Sequence, residues 1–181
     1  MLSWGKVRVK LLPVAGNVVL KDTREETLHD DDSCLDAYNF QPLWKQVLLP
    51  LSGVGVLLAL SLGIMGAPGW DSFVAAFGQI VHGALAPLSM AQELLGEGET
   101  FARTHGFALV FALLSLTLCA FNLLPFAGLN GGQALLAIAR GGKPYVAWEE
   151  SLAKWLMLPG LAILLAWLAA FGWYGWQAMS V

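Results

Sequence analysis

Phe121-Asn122-Leu123-Leu124-Pro125-Phe126-Ala127-Gly128-Leu129-Asn130-Gly131-Gly132-Gln133 sets one proline and three glycines inside a stretch, Thr104 to Ala139, whose 36 residues include no Asp, Glu, Lys or Arg. As a single helix that stretch would be about 54 Å long, against a hydrocarbon core of about 30 Å. It has to break, and the quoted run places the break. An unpaired N–H or C=O in hydrocarbon is costly, so irregular backbone at that depth is tolerated only where it is buried in protein or lines a polar cavity. The run therefore marks a site.

The rest of the chain agrees with a membrane setting. Of 181 residues, 57% are hydrophobic and 13% charged, with a mean hydropathy of +0.63; ordinary soluble domains carry about 25% charged residues. Two further windows lack charge, Gln46 to Trp70 and Trp155 to Val181, with 25 and 27 residues, and about 20 suffice to cross a bilayer. The composition is that of an integral membrane protein. Net charge is −3, and the basic residues Lys6, Arg8 and Lys10 alternate with apolar ones in a strand pattern, so no nucleic-acid surface is indicated. Cys34 lies in an acidic segment and Cys119 in an apolar span, which gives neither a disulfide framework nor a cysteine zinc site. Pro13, Gly16 and interleaved charges interrupt any signal-peptide core, so the first span is expected to serve as an uncleaved anchor.

The pattern predicts an all-α integral membrane protein with three transmembrane helices, at about 46–69, 106–124 and 155–173, one of them continued by a broken-helix segment. Residues 1–42 form a cytoplasmic part and 43–181 the membrane domain. In the first part, Val7 to Leu12 and Asn17 to Leu20 read as a small β-hairpin around Pro13, Ala15, Gly16 and Asn17. Seven acids and one arginine then occupy Asp22 to Asp36, without the ligand spacing of a calcium loop. In the first span, Gly55, Ala59, Gly63 and Ala67 recur every four residues and give a flat face for close helix packing. Packing within the chain is the favoured use of that face; a homo-oligomer seam is the other. A short helix should follow the break from Gln133 and end at Gly141-Gly142.

Residues 72–92 are also uncharged apart from their surroundings, but Gly78, Gln79, His82, Gly83 and Pro87 make them a poor span. Six Lys/Arg precede Gln46, three lie in Arg140 to Lys154, and only Arg103 lies between Trp70 and Thr104. Positive charge favours the cytoplasmic side. The first two regions are thus expected inside and the third outside, with 72–92 a re-entrant or interfacial segment, the N-terminus cytoplasmic and the C-terminus outside. Trp44, Trp148 and Trp155 would form the inner aromatic belt and Trp173, Tyr174 and Trp176 the outer one.

Asn122-Leu123-Leu124-Pro125 followed by Leu129-Asn130-Gly131-Gly132 resembles the paired elements of site-2 proteases, intramembrane zinc metalloproteases in which Asn-Leu-Leu-Pro precedes Leu-Asp-Gly-Gly. Pro13-Val14-Ala15-Gly16-Asn17-Val18 partly matches the family's hairpin element, and Ser52-Gly53-Val54 stands where an Ala-Gly-Pro element would be. In the family the Asp of the second element is a zinc ligand, and a His-Glu-x-x-His helix supplies two more and the general base. Here Asn130 replaces that Asp, and a neutral carboxamide is a far poorer zinc ligand than a carboxylate. Neither His29, His82 nor His105 has a second histidine at i+4 or a Glu directly after it, and Gln133 adds no further ligand. The family's first span, with its metal helix, is expected to be absent before Met1.

The resemblance thus implies a catalytically inactive site-2-protease-like protein, a pseudoprotease without metal or cofactor, in the cytoplasmic (inner) membrane of a bacterium. It would act as a scaffold or binding subunit for other transmembrane subunits. Asn122, Pro125, Gly128, Asn130, Gly131, Gly132 and Gln133 would form the vestigial cleft or partner surface, the carboxamides of Asn122 and Asn130 bonding to local backbone. The alternative is an intramembrane peptidase whose metal-binding helix comes from an upstream start or another chain. Gly141-Gly142-Lys143 lacks a following Ser/Thr and is no phosphate loop.

Overall fold

The computed structural model describes the backbone of residues 2–4 and 7–9, and residues 37–143 and 146–180. Two short strands, β1 (Leu2–Trp4) and β2 (Val7–Val9), pair antiparallel with Leu2 opposite Val9 and Trp4 opposite Val7. Val7 to Val9 is extended, as its alternation requires, but it pairs with the strand before it. The expected turn at Pro13, Ala15, Gly16 and Asn17, and the strand after it, lie outside the described residues.

From Leu43 onward the architecture is helical: α1 (Leu43–Met65), α2 (Ala67–Leu85), α3 (Met90–Thr104), α4 (Phe107–Asn122), α5 (Asn130–Ala139) and α6 (Ala147–Met179). Pro50 inside α1 has no N–H to give the Gln46 carbonyl four residues back. The Tyr38 hydroxyl donates to that carbonyl instead, at 2.5 Å. Gly66 ends α1 with φ +65°, a backbone conformation that glycine reaches without a Cβ penalty. Pro68 then sits in the first turn of α2, where a missing N–H costs nothing.

α4 is the central element, packed between α1 and α2. Its buried residues Ala112, Ser115, Leu116, Cys119 and Ala120 follow the three- and four-residue spacing of one helical face. The matching face of α2 is Gly69, Phe73, Ala76, Ile80 and Gly83. The core joins Val54, Phe73, Ile80, Leu116 and Leu124, with Cys119 Sγ donating to the Val54 carbonyl at 3.6 Å. Small residues on these faces let the backbones approach, the source of helix association where lipid removes the hydrophobic drive.

The small-residue face of α1 does not take part. Gly55, Ala59 and Gly63 are exposed, as is Ala67, which opens α2 instead of continuing that face, and a Cβ on Gly55 or Gly63 would meet open space. The favoured expectation of packing within the chain is therefore corrected. α1 turns Gln46, Val54 and Ser61 inward, about half a turn away at 3.6 residues per turn, because the polar Gln46 and the core contact at Val54 fix its rotation.

Two helices, α1 and α6, are long and apolar enough to cross a membrane. α4 has 16 residues, about 24 Å of helix, which is short of the third span expected at 106–124. The segment 72–92 is two pieces, the end of α2 and the start of α3, joined by a turn at residues 86–89. Both pieces are tied to α6. Trp167 Nε1–H donates to the Ile80 carbonyl at 2.9 Å, Gln92 Nε2–H to the Ala170 carbonyl at 3.1 Å, and the Tyr174 hydroxyl to Glu99 Oε2 at 2.5 Å. That hydroxyl and the adjacent Arg103 hold the exposed Glu99 carboxyl below its ordinary pKa.

Gly83, which reads as a blemish in a poor span, is the seat of Trp167. A Cβ there would lie 2.4 Å from the indole ring, and the ring is held by its bond to Ile80. Gly83→Ala is expected to destabilise the fold by about 1–3 kcal/mol, the usual cost of overpacking. Gly78→Ala, whose nearest neighbour would be 3.9 Å away, should be close to neutral or slightly stabilising; thermal melts of the two variants in detergent would show the contrast.

Candidate functional site

The break closes on itself by a succession of tight turns. Leu123 N–H donates to the Cys119 carbonyl at 3.0 Å, Leu124 to Phe121 at 3.1 Å, Phe126 to Leu124 at 2.8 Å and Leu129 to Phe126 at 2.8 Å. Pro125 stands where no donor is needed. Gln133 N–H, bonded to the Leu129 carbonyl at 3.0 Å, starts the ladder of α5. Backbone groups that would be orphaned in hydrocarbon thus find partners locally.

α5 begins at Asn130, three residues before the sequence expectation, so Gly131 and Gly132 belong to its first turn rather than to the break. Neither has a positive φ; their use is steric. A Cβ on Gly131 would lie 2.2 Å from the Leu123 carbonyl oxygen, and one on Gly132 would lie 1.9 Å from that of Phe126. The first turn of α5 lies backbone to backbone against the break, an approach only glycine permits. Gly160 of α6 reaches the same place from the other side, since its Cβ would stand 3.0 Å from Phe126 Cβ.

Away from α6 the break is open. Pro125, Gly128 and Gln133 are exposed, and Asn122 and Asn130 partly so. The Asn122 carboxamide donates to the Leu118 carbonyl at 2.9 Å, meeting the expectation for that residue. Asn130 does not meet it: its carboxamide makes no hydrogen bond among the described residues.

The residues present do not fit a zinc ion. Asn130 is neutral, His82 is on exposed surface of α2, and His105 lies before α4, about 24 Å of helix from Asn122 at its other end. His29 lies outside the described residues. Among the described residues, no three His, Cys, Asp or Glu side chains come together as a metal site.

A second polar centre escaped the sequence reading. Arg140, which follows α5 directly, is 4% exposed and Gln46 of α1 is fully buried. Arg140 Nη1–H donates to Glu149 Oε1 in the first turn of α6, and Nη2–H to Gln46 Oε1 at 2.5 Å. The Gln46 amide faces the carbonyls of Asn39, Gln41 and Gly142 at 3.2, 2.6 and 3.1 Å; with two hydrogens it shares them among three acceptors. In sequence, Arg140 reads as one more loop cation, and the only hint is that Gln46 opens an otherwise apolar span.

Fold and site together define a helical membrane protein in which a broken helix packs along the membrane-length helix α1 and meets the other, α6, at the break. A model of peptidase family M50, the site-2 protease family, matches residues 5–167, and the chain belongs to that family, whose members are embedded in membranes. No curated protein and no solved structure matches it.

Because the Gly131 and Gly132 contacts are with backbone oxygens, a methyl group cannot be relieved by a rotamer change. Gly132→Ala is expected to cost about 3 kcal/mol or more, at or above the upper end of overpacking. Gly128→Ala, with open space around it, should fall within about 0.5 kcal/mol of the parent; denaturant titration in mixed micelles measures both.

Proposed function

We propose that this chain is a catalytically inactive member of its family that serves as a scaffold or binding subunit for other membrane proteins. The observation that carries the reading is Asn130, a neutral side chain at the position matching the family's third zinc ligand, in a 181-residue sequence with no His-Glu-x-x-His. A metal helix supplied from elsewhere would still meet that carboxamide. What stands at those positions here is a glycine-supported break with an open polar edge.

The occupant in this reading is a partner's transmembrane helix lying along α4. Phe111, Leu114 and Leu118 are exposed in a row that leads onto Asn122, Pro125 and Gln133, so a partner would pass from apolar contacts to the open edge of the break. The unpaired Asn130 carboxamide is available to it. The third crossing is made by α4, the break and α5 together, about 24 Å plus about 15 Å of helix. The α2–α3 turn dips into the outer leaflet, since Ile80 and Gln92 on either side of it bond to Trp167 and Ala170 of α6, about 18 and 14 Å of helix before the end of α6 at Met179. The distribution of Lys and Arg supports a cytoplasmic N-terminus and an external C-terminus in a bacterial cytoplasmic membrane.

Two experiments test this. A photo-crosslinker at Gln133, in protein purified in mild detergent, should capture a protein partner, and Asn130→Leu should weaken that complex by about 0.6 to 2 kcal/mol, one interhelical hydrogen bond; a monodisperse monomer crosslinked to lipid alone contradicts the scaffold reading. Single cysteines at Ser33, Gly98 and Ser151 should be labelled from the cytoplasm, the outside and the cytoplasm respectively. Cytoplasmic labelling of position 98 would overturn the orientation.

A further inference from the structure

We infer that Gln46, Arg140 and Glu149 form a charged latch that seats α5 and thereby sets the geometry of the break at its other end. α5 has ten residues, about 15 Å of helix. It is held at its head by the backbone contact of Gly131 and Gly132 and at its tail by the Arg140 guanidinium. Between these points its outer positions Gln133, Leu135 and Ile138 are exposed, while Ala134, Leu136 and Ala137 are buried on the side packed along α1. A short helix pinned at both ends is fixed in direction; pinned only at the glycines, it can pivot away from α1.

The chemistry at the tail is suited to fastening. Arg140 spans two elements at once, Glu149 of α6 through Nη1 and Gln46 of α1 through Nη2, a geometry its planar fork permits and a lysine ammonium does not. Gln46 holds both sides of the joint, since its oxygen accepts from Arg140 while its amide faces the carbonyl of Gly142. Glu149 lies in the first turn of α6, where the helix dipole favours an anion. With Arg140 96% buried, releasing α5 while leaving the guanidinium in place would strand a charge, so the joint is closed or open, with little between. Arg140 is thus a positioning residue for the polar edge at Asn130 and Gln133. The inference concerns the seating of α5 and stands whether or not a partner occupies that edge.

The test is thiol accessibility in the full chain, in nanodiscs. A cysteine at Ala137, on the buried face of α5, is compared with one at Ala112, equally buried in α4, and maleimide labelling is read by mass spectrometry at each position. Arg140→Gln should raise labelling at 137 by about tenfold or more through local opening, and leave 112 unchanged. Arg140→Lys should give a partial increase, because it keeps Glu149 and loses Gln46. Should Arg140→Gln yield no folded protein, Gln46→Leu, which removes one arm, is expected to show the same selective rise at 137 on a smaller scale. An unchanged rate at 137, or an equal rise at both positions, overturns the latch.

Discussion

The first turn of α5 lies against the carbonyls of Leu123 and Phe126 at a separation no Cβ would allow, and most of the membrane domain is arranged around that contact. It lets the chain leave α4, turn through Pro125 and Gly128, and resume as a helix without a gap. The turn N–H groups are satisfied on the way. α5 then continues along α1, bringing Arg140 to Gln46 and Glu149. A side chain at either glycine would push α5 off α1 and carry Arg140 away from its partners, so the steric condition at one end and the electrostatic one at the other are solved by the same placement.

Proline defects show how polar backbone is managed at the edges of the spans. Pro50 deprives Gln46 of a helical donor to its carbonyl, and the Tyr38 hydroxyl fills that place. The residue whose backbone is repaired is also the one whose side chain receives Arg140. The segment before α1 is thereby joined to the same polar centre as α5 and α6. Buried charge offers little net stability once desolvation is counted, and its use here is to define one arrangement of three elements.

Much of this was legible in the residues from 121 to 133 and in the charge-free windows. A proline and glycines inside 36 uncharged residues required a broken helix, and the match to the family's paired elements identified which one. What escaped the sequence was tertiary. Gly131 and Gly132 read as breakers, yet they are helical, because glycine serves close approach as well as flexibility. Gly55, Ala59, Gly63 and Ala67 read as a packing seam, yet α1 is rotated so that Gln46 and Val54 face inward; a repeat of small residues states that a face is flat, not that it is used. Gly83 lowered the apparent quality of α2, although it exists to admit Trp167, a partner 84 positions away. Arg140 and Glu149 look like solvated charges until the fold brings Gln46 between them.

We propose that the family's site persists here as a surface and not as a metalloprotease centre, because Asn130 offers zinc a neutral carboxamide. Elemental analysis of the complex as purified in mild detergent, with every co-purifying chain retained, addresses that claim most directly. Zinc far below stoichiometric is expected, unchanged after incubation with added zinc and buffer exchange. About one tightly held zinc per chain, as a three-ligand catalytic site would retain, would contradict it.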